Sequence, residues 1–211
     1  MDRYDYFLFD WDGCLAKTLE AWLGAYRIAF TRYGLNPTDL EIAYYLGDWE
    51  IGTHFGIADH VKFNEIAVGI AIEKLKSVEL YDGAAELITN LKKSKKLALV
   101  SSGSREIIEN GLKHNDIEGI FDFIITGEDV SNHKPHPESL ELALSAINGT
   151  KKRAIMIGDS NKDIGAATNF GIDSVLVYPE SHKLFYDLRD LQKLKPTYTI
   201  SKFSDLATTL G

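Results

Sequence analysis

Cysteine, basic charge and long hydrophobic runs are all scarce in this chain. Its 211 residues include a single cysteine, Cys14, which excludes an internal disulfide. Aspartate and glutamate outnumber lysine and arginine by 31 to 23, and the net charge is -8. No basic stripe with interleaved aromatic residues offsets this charge. We therefore expect no nucleic-acid-binding surface.

Apolar segments long enough for a membrane are also missing. The longest apolar run, residues 66–72, is bounded by two glutamates and is too short to span a bilayer. The first residues show no basic segment followed by a long apolar stretch, so no secretory signal is predicted. A hydrophobic content of 45% still allows a full core. These features predict a folded, cytoplasmic protein with no membrane role.

Short apolar runs alternate with segments of helical periodicity. The runs predicted as strands are residues 6–9, 97–100, 123–125, 154–157, 174–178 and 198–200, and the main helical segments between them are residues 84–91, 105–113, 137–147 and 164–170. This alternation predicts an α/β domain with a mainly parallel sheet. Residues 17–80 break the rhythm with helical patterns alone, at 19–33, 39–46 and 59–78. They are predicted to form a helical insertion between core segments 1–16 and 81–211.

Two aspartates one residue apart end the first predicted strand. Asp10 and Asp12 are followed at once by Gly13, so both carboxylates leave the strand end together. Carboxylates held this close repel unless a cation or a reacting group needs them. Taken alone, the pattern favours a plain Asp-Gly turn with solvated acids. An EF-hand calcium loop is excluded, because Cys14 and Leu15 stand where a ligand and a glycine are required.

Three further polar clusters lie at or near strand ends. Ser101 and Ser102 follow a strand and supply donors for an anion, although a serine helix cap is an equally good explanation. Lys134 precedes two prolines and a helix, where a solvated lysine is the default. Asp159 ends another strand and is followed by Asp163, a pattern that a capped helix start also explains. Because ligands bind at the carboxyl ends of strands in open α/β sheets, the clusters are expected to converge.

Taken in order, these clusters resemble the four motifs of the haloacid dehalogenase superfamily of phosphatases. The matching residues are Asp10 and Asp12 for the first motif, Ser101 for the second, Lys134 for the third, and Asp159 with Asp163 for the fourth. The resemblance spans residues 7–171 and implies a three-layer, Rossmann-like core. It identifies residues 17–80 as a helical cap of the type found in phosphoglycolate phosphatase and β-phosphoglucomutase-like members.

The resemblance also implies a role for each motif residue. Asp10 is the nucleophile that forms an aspartyl-phosphate, and Asp12 is the general acid and then the general base. Lys134 neutralises the site, and Ser101 together with Ser102 holds the phosphoryl group.

A metal site belongs to the same set of implied roles. Mg²⁺ is bound by the carboxylates of Asp10 and Asp159 and by the backbone carbonyl of Asp12, with Asp163 supporting this set from behind. The implied enzyme is a Mg²⁺-dependent phosphatase acting on a small phosphorylated metabolite similar to phosphoglycolate or a sugar phosphate.

The predicted cap offers two further candidates for substrate binding. Trp49 would stack on the leaving group or pack between helices. Glu50 falls near the position where phosphoglucomutase-like members carry a basic residue, and an acid there should repel a bisphosphate. A phosphomutase remains the alternative activity, and a non-catalytic binding module is a third possibility. The oligomeric state is not predicted.

Overall fold

The computed structural model describes residues 2–211, and a six-stranded parallel sheet lies at its centre. The strands are β1 (Tyr6–Phe9), β2 (Lys96–Val100), β3 (Phe123–Ile125), β4 (Ala154–Gly158), β5 (Asp173–Val177) and β6 (Tyr198–Ile200). Their order in the sheet is β3-β2-β1-β4-β5-β6, and every neighbouring pair is parallel. The predicted α/β fold with a mainly parallel sheet is confirmed.

Helices connect the strands and cover both faces of the sheet. In chain order they are α1 (Leu19–Arg32), α2 (Asp39–Tyr44), α3 (Ile51–His54), α4 (His60–Leu75), α5 (Ala84–Lys92), α6 (Arg105–His114), α7 (Glu138–Ala146), α8 (Asn161–Phe170), α9 (Leu188–Gln192) and α10 (Leu206–Thr209). The sequence does not predict the short helices α3, α9 and α10, because four or five residues are too few to establish a helical period.

Successive side chains of a strand point to opposite faces of the sheet, so the core has two apolar layers. Phe7 and Phe9 of β1 point to one face, where they join buried residues of α5 and α6. Leu8 points to the other face and packs with residues of α7 and α8. Because both faces of the strands are buried, they read as continuous apolar runs, as expected for a parallel sheet between two helical layers.

A helical segment separates β1 from β2. Helices α1 to α4 form it, and an apolar cluster that includes Phe30, Ile42 and Phe63 fills its interior. The two chain segments that connect it to the sheet lie side by side, because Ala16 and Leu80 form an isolated antiparallel bridge. The division into core and cap stays a prediction, and its boundaries at residues 16/17 and 80/81 fall at this bridge.

The connection after β5 also reaches the helical segment. Phe185 of this connection is buried in the same apolar cluster, and Tyr186 packs at its edge. Phe185, which belongs to the connection between β5 and β6, therefore packs among the four helices of this segment. Among residues 2–211, no helix is both long and apolar enough to cross a bilayer.

Candidate active site

The central strands bring the two strand-end aspartates together. β1 lies between β2 and β4, and the backbone N–H of Asp10 continues the pairing by donating to the carbonyl of Ile157 at 2.9 Å. Asp159 follows the end of β4 directly, so both carboxylates emerge at the same edge of the sheet. The side chains are almost completely buried, with 5% exposure for Asp10 and 1% for Asp159.

Gly13 is required by this arrangement. Its φ of +76° lies in the left-handed region, and a Cβ there would stand 2.4 Å from Oδ2 of Asp159. A side chain at this position would therefore be strained and would also displace the Asp159 carboxylate. The glycine of the Asp-Gly turn thus serves the site as well as the turn.

Lys134 links the first and last motifs. Its Nζ donates to Oδ1 of Asp10 and to Oδ1 of Asp163, both at 2.6 Å, and to the carbonyl of Val100 at 3.0 Å. Burial alone would lower the pKa of Lys134, but the charges of Asp10 and Asp163 outweigh burial and raise it. The lysine is therefore a buried cation and not the solvated side chain that its sequence context alone would suggest.

Asp163 has two functions in the structure. Its Oδ2 accepts from the backbone N–H of Ser160 at 3.1 Å and from the Ser160 hydroxyl at 2.6 Å, which caps helix α8. Its Oδ1 binds Lys134. The helix-cap explanation and the active-site explanation offered by the sequence therefore both describe this residue.

Excess negative charge remains after Lys134 is counted. Burial raises the pKa of Asp10 to about 8; Lys134 opposes this effect, and Asp163 and Asp12 add to it. Burial, followed by the charges of Asp163 and Asp10, also raises the pKa of Asp159 well above its usual value. Crowded, desolvated carboxylates of this kind are stabilised as anions only when further positive charge is supplied.

The carboxylates fit a divalent cation. Asp10, Asp159 and Asp163 each place an oxygen within 4.8 Å of the others. Oδ2 of Asp159 is buried and has no hydrogen-bond partner among the described residues. Because hard cations prefer oxygen ligands, the cluster has both the chemistry and an unused buried oxygen that a metal ion needs. The residues present could therefore bind a divalent metal.

Asp12 lies in a different environment from Asp10. Burial raises its pKa, and hydrogen bonds from Thr18 and Trp22 oppose the shift. Its Oδ2 accepts a long hydrogen bond of 3.4 Å from the hydroxyl of Ser101. A carboxyl group with a raised pKa retains a proton to higher pH, which is a property required of a general acid.

The two serines after β2 are placed differently. Ser101 is buried, and its hydroxyl accepts from the backbone N–H of Gly103 at 2.9 Å. Ser102 is exposed and lines the cavity above the aspartates. Neither serine caps helix α6, whose N-cap is Ser104. The helix-cap alternative raised by the sequence therefore does not apply to Ser101 or Ser102.

A cavity of about 380 Å³ lies between the strand ends and the helical segment. Asp10, Asp12, Lys134, Asp159 and Asp163 line its floor. Trp49 lines it from the helical side, as the sequence suggested, but Glu50 does not. The backbone N–H of Glu50 donates to Oδ1 of Asp48 at 2.8 Å. Both residues are exposed, but of the two it is Asp48 that lines the cavity.

Several cavity residues had no signal in the sequence. Tyr26 on α1 lies within a predicted helix, whose orientation the sequence did not specify. Lys162 lies in the first turn of α8, ahead of the predicted helical segment 164–170. Tyr186 comes from the connection after β5, where no periodicity was available. His182 of the same connection is fully buried, and its Nδ1 lies 3.9 Å from Oδ2 of Asp159. Burial lowers the pKa of His182 to about 4, so it supplies no positive charge at neutral pH.

Comparison with known proteins gives consistent results along almost the whole chain. A pyrophosphatase PpaX from Bacillus mycoides is 29% identical over 217 residues, covering 97% of this chain and 95% of that relative. Relatives of the same name from Bacillus cereus are 28% to 29% identical.

Solved structures share the fold. A structure described as a haloacid dehalogenase-like hydrolase from Bacteroides fragilis superimposes with a TM-score of 0.84 at 27% identity, covering 96% of this chain and 99% of the other. A predicted phosphoglycolate phosphatase from Haemophilus somnus reaches a TM-score of 0.85 at 20% identity, with 99% and 98% coverage. At that identity, the second likeness concerns the fold alone.

A family model places the chain among known enzymes. The model described as haloacid dehalogenase-like hydrolase matches residues 7–177, which include all the motif residues named above. The resemblance drawn from the sequence is thereby confirmed. The chain belongs to the haloacid dehalogenase-like hydrolases and is an enzyme of the hydrolase class.

Proposed function

We propose that this enzyme is a Mg²⁺-dependent phosphatase that hydrolyses a small phosphate monoester through an aspartyl-phosphate on Asp10. The observation that carries the proposal is the placement of Asp10 on the cavity floor, with its carboxylate oriented by Lys134 at 2.6 Å and with Asp12 beside it. A nucleophile, a cation and a second acid are the groups that stepwise phosphoryl transfer requires. The relatives named pyrophosphatase support phosphate chemistry.

In the first step, an oxygen of Asp10 attacks phosphorus and the bond between phosphorus and the leaving oxygen breaks. Asp12, whose pKa is raised by burial, is the proposed general acid: it gives a proton to the leaving oxygen, and the alcohol departs. Lys134 offsets negative charge in the reacting group, and the hydroxyls of Ser101 and Ser102 are the proposed donors to phosphoryl oxygens.

In the second step, Asp12 acts as a carboxylate. It accepts a proton from water, whose oxygen attacks phosphorus and breaks its bond to Asp10. Inorganic phosphate leaves, Asp10 is restored as a carboxylate and Asp12 regains its proton. The helical segment covers the cavity and limits the access of water during the first step.

The acidic cluster is the proposed Mg²⁺ site. Asp10, Asp159 and the backbone carbonyl of Asp12 would hold the ion, and Asp163 would support them through its bonds to Lys134 and Ser160. Bound there, Mg²⁺ supplies the positive charge that the phosphoryl group and the crowded carboxylates need.

Three other expectations remain predictions. They are a small phosphorylated metabolite as the partner, with no nucleic acid bound; a cytoplasmic location; and hydrolysis in preference to the phosphomutase reaction. Hydrolysis is favoured because the two lysines that line the cavity already face aspartates, so neither is left in excess for the second phosphate of a sugar bisphosphate.

The test is phosphate release from a panel of phosphomonoesters and pyrophosphate with Mg²⁺, compared between the wild type and Asp10→Asn. Turnover should disappear in Asp10→Asn, because an amide cannot form the acyl phosphate. The same panel with a sugar bisphosphate added distinguishes a mutase, which would return the phosphoryl group to the sugar faster than to water. Undiminished turnover in Asp10→Asn would contradict the proposed nucleophile.

A further inference from the structure

Aromatic and aliphatic side chains form much of the cavity wall above the reacting groups. The residues concerned are Leu19, Trp22, Tyr26, Leu46, Trp49 and Tyr186. Pockets that bind small organic molecules share this composition, with an apolar wall and a few polar groups that fix orientation. A volume of about 380 Å³ is also more than a lone phosphate or pyrophosphate needs. The wall indicates that the leaving group is itself substantial and partly apolar.

Trp49 is the most exposed of these rings. Its exposure is 56%, although it belongs to a loop whose backbone is well fixed. The side-chain nitrogen of the buried Asn64 donates to the carbonyl of Trp49. The side-chain oxygen of Asn64 accepts from the Tyr26 hydroxyl at 3.3 Å. One buried side chain thus holds two aromatic residues of the wall. A large ring held at the mouth of a cavity, and still open to solvent, offers a surface on which a flat group can stack.

The charges at the mouth argue against an anionic leaving group. Asp48 lines the cavity, and hydrogen bonds from His54 and from the backbone of Glu50 lower its pKa and keep it ionised. Lys134, the buried cation, is already shared between Asp10 and Asp163. Lys162 is the other lysine among the described residues that line the cavity, and it is exposed at the rim. The charge of Lys162 lowers the pKa of Asp48, so these two rim charges offset one another. No lysine among the described cavity residues is then left in excess for a second negative group on the substrate.

We infer that the leaving group is an uncharged alcohol that carries a planar ring, and that the substrate is the phosphomonoester of such an alcohol. This inference rests on the proposed function and specifies its substrate. Two sources share the chemistry: nucleoside 5′-monophosphates, and phosphate esters of pyridine alcohols. In both cases the phosphate lies at the aspartates and the ring lies against Trp49.

The test compares substrates that differ by the ring alone. Adenosine and uridine 5′-monophosphates are measured against ribose 5-phosphate, which has the same phosphate and sugar without the base. Pyridoxal 5′-phosphate represents the second source, and phosphoglycolate and pyrophosphate represent charged leaving groups. We expect kcat/KM for at least one ring class to exceed that of ribose 5-phosphate by about tenfold, as expected from one base stacked on one aromatic side chain. Equal or better hydrolysis of ribose 5-phosphate, phosphoglycolate or pyrophosphate would overturn the inference.

Variants test whether Trp49 in the cavity wall causes the preference for ring substrates. Trp49→Ala should reduce the ratio of kcat/KM between the preferred ring substrate and ribose 5-phosphate to about twofold, mainly through KM. Trp49→Phe should retain most of the ratio. Tyr44→Ala is the matched control, because Tyr44 is a highly exposed aromatic residue of the same helical segment that lies outside this cavity. An unchanged ratio in Trp49→Ala, or an equal reduction in Tyr44→Ala, would also overturn the inference.

Acetyl phosphate separates this inference from the proposed function. It is intrinsically reactive and carries no ring, so its hydrolysis depends on Asp10 and not on stacking. If acetyl phosphate is hydrolysed by the wild type but not by Asp10→Asn, while no ring substrate is preferred, the substrate inference fails alone. If neither acetyl phosphate nor any phosphomonoester of the panel is hydrolysed, the proposed function fails, and the substrate inference fails with it.

Discussion

The ammonium group of Lys134 lies 2.6 Å from the carboxylate of Asp10, and both side chains are buried. The same ammonium lies 2.6 Å from Asp163, so one cation is shared between two buried carboxyl groups. A buried charge is costly without a partner of opposite charge. We therefore expect the contact to contribute both to the free energy of unfolding and to the reactivity of Asp10.

Replacing Lys134 tests this link. Lys134→Met should lower the free energy of unfolding by about 3–5 kcal/mol, because it leaves buried carboxylates without their partner. It should also lower kcat by at least about 100-fold through the loss of positive charge beside the reacting group. Urea denaturation and steady-state phosphate release measure the two effects. Lys162→Met, at an exposed lysine, should change stability by no more than about 0.5 kcal/mol. Equal losses of stability in the two variants would contradict the prediction.

Gly13→Ala should separate backbone strain from steric displacement of Asp159. The new Cβ would stand 2.4 Å from Oδ2 of Asp159, so we expect loss of activity and weaker Mg²⁺ binding as well as lower stability. Gly34→Ala is the control, because Gly34 has a similar φ of +73° and no atom within 4 Å of its added Cβ. That variant should lose about 1 kcal/mol of stability and keep its activity. Full activity in Gly13→Ala would show that Asp159 is not positioned as described.

The raised pKa of Asp10 predicts the pH dependence of stability in metal-free protein. The folded-state pKa is about 8, whereas the usual value is 3.8. Between these values the folded state binds more protons than the unfolded state, so this residue makes stability fall as pH rises from about 4 to 8. Asp10→Asn removes the titration. We therefore expect Asp10→Asn to be more stable than the wild type at pH 8 in a chelator, with a difference that shrinks towards pH 4. Thermal unfolding across this range measures the effect, and parallel curves would contradict it.

Mg²⁺ should stabilise the folded protein by binding to these carboxylates. A ligand present at 100 times its Kd stabilises the folded state by about 2.7 kcal/mol, so Mg²⁺ should raise the Tm of the wild type in a concentration-dependent way. Asp159→Asn should lose most of this increase, because within residues 2–211 the buried Oδ2 of Asp159 has no hydrogen-bond partner and is free to bind the ion. Chelation should abolish phosphatase activity, and added Mg²⁺ should restore it. An undiminished rise in Tm for Asp159→Asn would place the ion elsewhere.

The sequence predicted the floor of the cavity well because sheet geometry determines it. Asp10 and Asp159 each end an apolar run, and parallel strands place their carboxyl ends at one edge whatever the details of packing. Lys134 was predicted only through the resemblance to the family, since a loop lysine before prolines carries no signal of its burial.

The wall of the cavity was harder to predict for physical reasons. Glu50 and Asp48 lie in an irregular loop, where no periodicity determines which side chain turns inward. The Asp48 carboxylate is held there by hydrogen bonds to the Glu50 backbone and to the ring of His54. Tyr186 and His182 come from a connection that contacts the site only because it packs against a segment far away in sequence. Such contacts depend on tertiary structure and not on local pattern.

Phe185 has a consequence for how molecules reach the reacting groups. Its side chain is inserted among the helices, although its backbone belongs to the connection after β5. Any motion that lifts the helices from the sheet must withdraw this ring into water, at a cost of about 1.5–3 kcal/mol. Burial of Phe185 would therefore disfavour an open form with nothing bound, and smaller residues at this position should make such opening easier.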